Sequence, residues 1–498
     1  MSHLLRTVVA ATALVACGGG GSNNPPPPDG PPPDAAGPPR IATGTRIVDH
    51  TAVVGGLTSD GYVVYSDLDA SGHSVAKVIP IAGGTETVIA TSAGTGKSDI
   101  RFEVQGSVVF AWVDRGSRVA SLSVWSQASG VVALGPNIRP GRASASADGK
   151  LIAYERDITD TTGTLVGGPI AGPATMIAMS NAQDDDCWRD TDIASVNPAA
   201  PHLLVRYCPA GATAFTMRSI AADGTMTDLS TAALEAAYGA SRAIWRETGG
   251  ALVTTSDGVT VETLAPAATS FAVSHDASAV AYLTSDGMIY AMPSDHSAAA
   301  HPLVAAPAAA TTMLGTLSGD GQSVLYSTMS EARNKDDVAP YTDVQVAGPA
   351  GTRALVPGTT SCPGCLYDSF TPDGHYALVL DPIDNSQAAD GEGPIKVLDL
   401  DDGSTVTSFG TAVYTAFALG GAGTGTSSRF MFVDAVADAS YATGWIYGMT
   451  TRDLTPSAMP ATVASGAENF AIDLKRGRGV VSFNGTDDTA GLWAIALQ

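Results

Sequence analysis

Short apolar runs separated by tight Asp-Gly turns recur along this chain, and they constrain its fold more than any other feature. The clearest example is residues 271–293, FAVSHDASAVAYLTSDGMIYAMP. Glycine accepts the positive φ that a tight hairpin demands, so Asp-Gly between two β-prone runs predicts a β-hairpin. We predict strands at residues 271–274, 279–283 and 288–292, joined by turns at 275–278 and 285–287.

About ten units of this kind follow one another, at a period of about 43 to 53 residues that matches the blades of a β-propeller. Each blade is a four-stranded antiparallel sheet, and its strands are apolar on both faces because they lie between two neighbours. Ala-Val-Ala-Tyr-Leu (279–283) and Leu-Ile-Ala-Tyr (151–154) meet that requirement. No long helical period competes with this pattern, apart from a short Ala-rich run at residues 231–238. The sequence therefore predicts an all-β fold.

The ends of the repeat array indicate how it closes. Residues 41–48 precede the first unit, and the last unit supplies only three strands before Gln498. We predict that the N-terminal strand completes the last blade and closes a single ring, because closure removes exposed sheet edges. Single propellers usually have about four to eight blades, so either weak units share a blade, or the ring is large, or two rings form. We expect about eight blades, and up to ten, in residues 41–498.

Three copies of the turn resemble the repeats of the WD40-like, TolB-type β-propellers. They are SADGKLIAY (146–154), SGDGQSVLY (318–326) and TPDGHYALV (371–379). The resemblance implies that the turn aspartate ties down the first hairpin of a blade by accepting backbone N–H groups. It implies the fold only, because many unrelated activities share this architecture. The aspartates to which it assigns this structural role are Asp60, Asp148, Asp276, Asp320 and Asp373.

The first residues have the features of an export signal. Arg6 precedes an apolar segment, residues 8–15, that is too short to span a bilayer. Leu14-Val15-Ala16-Cys17 resembles the lipobox of bacterial lipoproteins, which implies cleavage before Cys17 and lipid on that residue. Gly18 is compatible with sorting to the outer membrane. The alternative is an ordinary secretory peptide with a chance cysteine.

The domain organisation follows from this assignment. Residues 1–16 are the predicted signal peptide, residues 17–40 the lipidated cysteine with its tether, and residues 41–498 the propeller. The tether, GGGGSNNPPPPDGPPPDAAGPPR (18–40), combines a flexible glycine run with semi-rigid polyproline segments. The chain is thus expected to be exported and held at the cell envelope, with its only membrane contact through lipid.

Four cysteines remain after Cys17, an even number for an oxidising compartment. We predict a disulfide between Cys187 and Cys208. Cys362 and Cys365 form a C-x-x-C that no helix is expected to follow, which favours a tight structural disulfide. Redox chemistry and a zinc ligand pair are the alternatives for this motif.

The acidic loops raise the question of calcium. Asp67, Asp69 and Ser71 stand as in the first half of a calcium loop, but Val78 occupies the place of its bidentate glutamate. An Asp- and Gly-rich hairpin turn is the simpler explanation there, and again for the acidic residues within 381–392. Three histidines sit near predicted turns and could converge on one rim of the ring: His202, His275 and His375.

Composition and motifs limit the possible functions. Hydrophobic residues make up 44% of the chain and the formal net charge is -23, which argues against general nucleic-acid or anionic-membrane binding. The sequence has no G-x-S-x-G, H-E-x-x-H or P-loop motif. These features favour a non-catalytic module that binds an envelope protein or extracellular ligand at the axial funnel, with no cofactor other than calcium. The alternatives are a hydrolase or lyase whose residues converge at that funnel, and a calcium-stiffened scaffold.

Overall fold

The chain is all-β within the part that the structure describes. One 3₁₀ turn, Leu474–Arg476, is the only helical element there, and every strand pairing is antiparallel. Among the same residues, no helix has the length and apolar character that crossing a bilayer requires. The computed structural model describes residues 40–41, 44–95, 100–113, 119–146, 148–172, 174–181, 192–196, 202–209, 215–239, 242–274, 276–304, 312–328, 342–348, 351–356, 369–371, 374–380, 393–401, 405–418, 429–437, 445–453, 461–483 and 490–497.

The strands form seven sheets that follow one another in chain order, after two N-terminal strands, β1 (Arg40–Ile41) and β2 (Gly44–Val48). Sheet I contains β3 (Val53–Leu57), β4 (Tyr62–Leu68), β5 (His73–Pro80) and β6 (Thr87–Thr95). Sheet II contains β7 (Ile100–Gln105), β8 (Val108–Val113), β9 (Ala120–Ser126), β10 (Gly130–Ala145), β11 (Leu151–Arg156), β12 (Thr162–Pro169) and β13 (Thr175–Asn181). Sheet III contains β14 (Asp192–Val196), β15 (His202–Tyr207), β16 (Phe215–Ile220), β17 (Met226–Tyr238), β18 (Ala243–Glu247), β19 (Leu252–Thr255) and β20 (Glu262–Ala265).

Four further sheets complete the described chain. Sheet IV contains β21 (Ser270–Val273), β22 (Ala279–Leu283), β23 (Ile289–Pro293) and β24 (His301–Pro302), and sheet V contains β25 (Thr312–Leu317), β26 (Val324–Thr328), β27 (Thr342–Gly348) and β28 (Gly351–Val356). Sheet VI contains β29 (Tyr376–Leu380), β30 (Gly393–Asp399), β31 (Thr405–Ala418), β32 (Arg429–Ala437), β33 (Trp445–Asp453), β34 (Ala461–Ala467) and β1. Sheet VII contains β35 (Asn469–Asp473), β36 (Arg478–Phe483), β37 (Gly491–Ala496) and β2.

Sheets II, III and VI are double sheets in which one long strand passes from one unit into the next. β10 has 16 residues; its first part pairs with β9 and its last part with β11, with the register shifting between Ile138 and Ala143. β17 and β31 have the same role. The Ala-rich run at 231–238 belongs to β17, so its expected helical character is wrong. Pairing with β18 outweighs the intrinsic preference of alanine.

The N-terminal strands attach to two consecutive sheets. β2 pairs with β37 at the edge of sheet VII, with Gly44 opposite Ile495 and Val48 opposite Leu492. The predicted pairing of the N-terminal strand with the last unit is therefore present for β2. Ile41, which we placed in the same strand, belongs instead to β1 and lies opposite Ala464 at the edge of sheet VI.

The hydrophobic core is divided into clusters that lie between consecutive units. One cluster joins sheets IV and V through residues such as Ala281 and Val324. Another joins sheet VII to sheet I, where Val48, Tyr65 and Leu492 are buried together. Strands between two such clusters are buried on both faces, as β8 and β22 are along their whole length. This accounts for apolar runs without strict alternation.

Candidate functional site

The Asp-Gly turn in sheet II is held by two side chains acting together. Ser146 Oγ accepts the N–H of Leu151 at 2.9 Å and donates to Asp148 Oδ1 at 2.6 Å. The same carboxylate oxygen accepts the N–H of Lys150 at 3.2 Å. Burial alone raises the pKa of Asp148, but the hydrogen bonds from Ser146 and Lys150 outweigh burial and lower it. The carboxylate therefore serves the backbone of its own turn.

Sheets IV and V repeat this arrangement. Asp276 Oδ1 accepts the N–H of Ser278 at 3.0 Å, and Asp320 Oδ1 accepts the N–H of Gln322 at 3.0 Å. In each turn a serine hydroxyl also donates to the aspartate, from Ser274 at 2.8 Å and from Ser318 at 2.5 Å.

The turns on either side of this set use threonine. Thr58 Oγ1 accepts the N–H of Tyr62 at 2.8 Å in the turn that contains Asp60. Thr371 Oγ1 accepts the N–H of Tyr376 at 3.0 Å in the turn that contains Asp373, which itself lies outside the described residues. These contacts are the ones expected of a structural turn.

Turns of neighbouring units also contact one another. The N–H of Ser59 in sheet I donates to the carbonyl of Gly106 in sheet II at 2.7 Å. A Cβ added to Gly321 in sheet V would lie 2.7 Å from Cβ of Ala279 in sheet IV, and Gly321 has a φ of +72°. The turns therefore pack edge to edge from one unit to the next, which requires glycine at such positions.

The calcium candidate Asp67 lies in a polar cluster of a different kind. Its side chain is only 5% exposed, and its Oδ2 lies 2.7 Å from Nε2 of His50 and 2.9 Å from Nζ of Lys77. Lys77 Nζ lies 3.1 Å from Glu86 Oε2, and the hydroxyl of Tyr65 donates to Glu86 Oε1. We call these five residues the seam cluster, because Tyr65 also belongs to the apolar cluster that joins sheet VII to sheet I.

The seam cluster sets Lys77, and His50 when it is protonated, against the carboxylates of Asp67 and Glu86. Partial burial opposes protonation of His50, but its contacts with Asp67 and Asp49 outweigh burial and raise its pKa. Burial likewise opposes the charge on Lys77, and its hydrogen bonds to Asp67 and Glu86 raise its pKa. Burial and the Glu86 carboxylate raise the pKa of Tyr65, which keeps its hydroxyl a donor. His50, whose side chain is 48% exposed, and Glu86, whose side chain is 35% exposed, are the members of the cluster most open to solvent.

The other two calcium candidates face the tip of the β4–β5 hairpin. Asp69 Oδ1 accepts the N–H groups of His73 at 3.0 Å and Ser71 at 2.8 Å, and these bonds lower the pKa of Asp69. Asp67 and Asp69 thus serve an ion network and a backbone turn, respectively. Within the described part of the chain, no three His, Cys, Asp or Glu side chains are grouped so that they could hold a metal ion. Calcium binding at this loop stays a prediction.

The remaining predicted residues are not brought together where they are described. His202 Nδ1 lies 2.9 Å from Ser219 Oγ in sheet III, and His375 Nδ1 lies 2.8 Å from Asp401 Oδ2 in sheet VI. Cys208 is buried and disulfide-bonded. The predicted residues outside the described ranges are Cys17, Cys187, His275, Cys362, Cys365, Asp373 and the acidic loop at 381–392.

Two groups of functional interest escape sequence reasoning. The first is the seam cluster, in which Asp67 alone belongs to a motif that the sequence suggested, the first half of a calcium loop. The second is a buried ion pair in sheet II, where Arg139 Nη1 lies 3.2 Å from Glu155 Oε2 with side chains 5% and 1% exposed. Charged residues in otherwise apolar strands are the one available signal, since such residues are rarely buried unless paired.

Local spacing could have revealed one more turn. Asp257 Oδ1 accepts the N–H groups of Thr260 at 2.7 Å and Val259 at 2.8 Å. Burial raises the pKa of Asp257, but these donors outweigh burial and lower it to about 2. Thr255-Ser-Asp-Gly has the same serine/threonine and aspartate spacing as the turns that we assigned.

Comparison with known proteins gives structural similarity without sequence relatives. No family model matches the chain, and no curated protein matches it. A crystal structure of the eukaryotic initiation factor aligns with 11% identity over 86% of this chain and 90% of that chain, with a TM-score of 0.42. TolB from Acinetobacter baumannii aligns with 12% identity over 48% of this chain and 62% of that chain, with a TM-score of 0.25. An oligogalacturonate lyase in complex with manganese aligns with 12% identity over 58% and 91%, with a TM-score of 0.28.

Proposed function

We propose that this protein is a lipid-anchored β-propeller of the bacterial cell envelope that acts as a non-catalytic binding module. Its four single sheets and three double sheets contain ten four-strand units among the described residues, if the bridge from Phe370 to Ala377 counts as a first strand beside β29. We arrange these units as ten blades of one ring. β2 closes the ring because it completes sheet VII and continues directly into sheet I.

The use of the polar turn residues is the observation that carries the binding function. In the turns of Asp148, Asp276 and Asp320, the carboxylate and its serine partner hold backbone N–H groups. Neighbouring turns then pack against one another, as Ser59 does against Gly106. The recurring motif therefore serves to hold the turns rigidly. Recognition is left to the loops that differ between blades, and rigid scaffolds with variable loops are well suited to binding.

The anchor is the part of the proposal that rests on the sequence alone. Cys17 would carry lipid, and residues 18–40 would separate the ring from the outer membrane. In the same compartment, Cys208 would pair with Cys187, and Cys362 with Cys365.

We expect the full-length chain to incorporate labelled palmitate and to fractionate with the outer membrane. Cys17→Ala should abolish both. Palmitate labelling that persists in Cys17→Ala, or an unlabelled wild type, would contradict the anchor.

Binding is tested by photo-cross-linking in cells that express the full-length protein. A cross-linking amino acid replaces Leu68 or Val259, two exposed apolar residues near hairpins of sheets I and III. We expect a discrete adduct from at least one of these positions. Lys150, which is exposed in a turn of sheet II, is the control and should give none. Equal labelling at all three positions would count against a binding module. Absence of labelling at both Leu68 and Val259 would count against it as well.

A further inference from the structure

We propose that His50 is a proton-operated latch on the junction between sheet VII and sheet I. In its imidazolium form it holds the connection from β2 to β3 against sheet I, and in its neutral form it releases that connection. This inference does not depend on the proposed function.

The position of His50 suits it for this role. Residues 49–52 carry the chain from β2, the edge strand of sheet VII, to β3, the first strand of sheet I. Val48 and Ala52 are buried on either side of this connection. Arg46 Nη2 donates to the carbonyl of Asp49 at 2.9 Å. Between these fixed points, the side chain of His50 links the connection to β4 through Asp67.

Both ring nitrogens of His50 face carboxylate oxygens. Nε2 lies 2.7 Å from Oδ2 of Asp67, and Nδ1 lies 3.3 Å from Oδ1 of Asp49. An ionised carboxylate only accepts hydrogen bonds, so both contacts are satisfied together only when both nitrogens carry protons. A neutral imidazole has one donor and one lone pair, and either tautomer would turn the lone pair toward a carboxylate.

The charge balance of the seam cluster points the same way. Three charged groups face His50: Asp49 from its own connection, Asp67 from β4 and Lys77 from β5. With His50 protonated, the cations of His50 and Lys77 match the carboxylates of Asp67 and Glu86, and Asp49, whose side chain is 86% exposed, adds a third carboxylate on the solvent side. Loss of the proton leaves one negative charge uncompensated beside the buried Asp67, where solvent screens it poorly.

The direction of the pH effect follows from these contacts. Asp67 and Asp49 raise the pKa of His50 despite its partial burial. Its stabilising contribution is therefore fully present below about pH 6.5, the pKa of an unfolded histidine, and is lost as the pH rises through the raised value. The junction between sheets VII and I should thus be tightest in mildly acidic solution and should open more readily in alkaline solution.

Amide hydrogen exchange on the full-length protein tests the latch between about pH 5.5 and 8.5. Exchange of β2 and β37 is divided by that of β22, a strand of sheet IV, so that the intrinsic pH dependence cancels. Protection at the junction should fall with rising pH, by up to about tenfold per pH unit within the titration range. His50→Gln should make this ratio independent of pH. The matched control is His73→Gln, since His73 contacts Asp69 at 3.2 Å on the β4–β5 hairpin, and it should keep the wild-type profile.

Two results would overturn the latch. One is a ratio that stays constant with pH in the wild type, and the other is a wild-type pH profile that survives in His50→Gln. If His50→Gln fails to fold, the wild type still decides the question. Its His50 ring protons, followed by NMR, must titrate above about 6.5. A lower midpoint would refute the proposal.

Discussion

The junction between sheets VII and I and the joint inside sheet II both fix one four-strand unit on the next, but by different means. In sheet II a single strand, β10, runs through both units, and the buried pair of Arg139 and Glu155 ties it to β11. At the junction, β2 completes sheet VII, and His50 pairs with Asp67. An arginine keeps its charge at every relevant pH, whereas a histidine does not. The joint is therefore permanent and the junction conditional.

This difference makes the junction easier to open than the joint inside sheet II. A unit within a double sheet cannot separate from its neighbour without breaking the ladder of the shared strand. At the junction, separation requires loss of the apolar packing around Val48 and Tyr65, of the seam cluster, and of the hydrogen bond from Asn469 Nδ2 to the carbonyl of Val54. We expect the junction to open before the joints do, because fewer backbone hydrogen bonds cross it.

The largest effect should come from the joint. Arg139→Met removes the guanidinium that lies 3.2 Å from Glu155, whose side chain is 1% exposed. We expect a loss of about 3–5 kcal/mol in the free energy of unfolding, measured with denaturant. The double variant Arg139→Met/Glu155→Leu should recover most of it, since a buried pair is often replaceable by apolar residues. A loss below about 1 kcal/mol in the single variant would show that the joint does not depend on this pair.

At the junction, Asp67→Asn should cost less. It removes the charge that holds His50 and Lys77, and we expect a loss of about 1.5–3 kcal/mol in the free energy of unfolding. Asp69→Asn is the control, because an amide oxygen can still accept the N–H groups of Ser71 and His73. Measuring the stability of both variants with and without calcium distinguishes an ion network at Asp67 from a calcium site that Asp67 and Asp69 share. If a bound ion were the main role of both residues, both variants would lose the same calcium-dependent stability.

The same substitution at one turn glycine in each region compares how tightly the two regions are packed. Gly149 in sheet II has a φ of +68°, and an added Cβ would lie 2.7 Å from Oγ of Ser107. Gly61 has a φ of +97°, but its added Cβ would lie 3.2 Å from the end of the long Arg478 side chain of sheet VII. Strain from positive φ costs about 1–2 kcal/mol at both positions. We expect Gly149→Ala to lower the thermal midpoint more than Gly61→Ala, because the added Cβ would lie closer to its neighbour at Gly149, at 2.7 Å against 3.2 Å. Equal shifts would contradict the tighter packing inside sheet II.

Sequence reasoning succeeded where contacts are local. β21, β22 and β23 lie within one residue of the predicted strands. The contacts of Ser274 with Asp276 and Ala279 were not predicted, although they span only two and five residues. The pairing of β2 with β37 was also predictable, because the last unit lacked a strand.

Contacts that cross strands were not predictable in this way. His50 and Asp67 are separated by 17 residues, and they meet through the register of sheet I and the course of the connection from β2. Arg139 meets Glu155 because the register of β10 shifts between Ile138 and Ala143, and no local spacing encodes such a bulge. The helical character expected of the Ala-rich run in β17 was wrong for a related reason. The run pairs with β18, and its own sequence does not reveal that partner.

The smallest effect should come from a substitution in β1. Comparing it with one in β2 shows how much each N-terminal strand contributes to stability. Ile41 is partly buried against sheet VI and β1 has only two residues, whereas Val48 is buried in the cluster at the junction. We expect Ile41→Ala to lower the free energy of unfolding by about 1 kcal/mol or less, and Val48→Ala by about 2 kcal/mol. Hydrogen exchange distinguishes the causes, because only Val48→Ala should expose β37. If Ile41→Ala exposed β37 as strongly, the edge of sheet VII would depend on both strands, and the junction would extend to sheet VI.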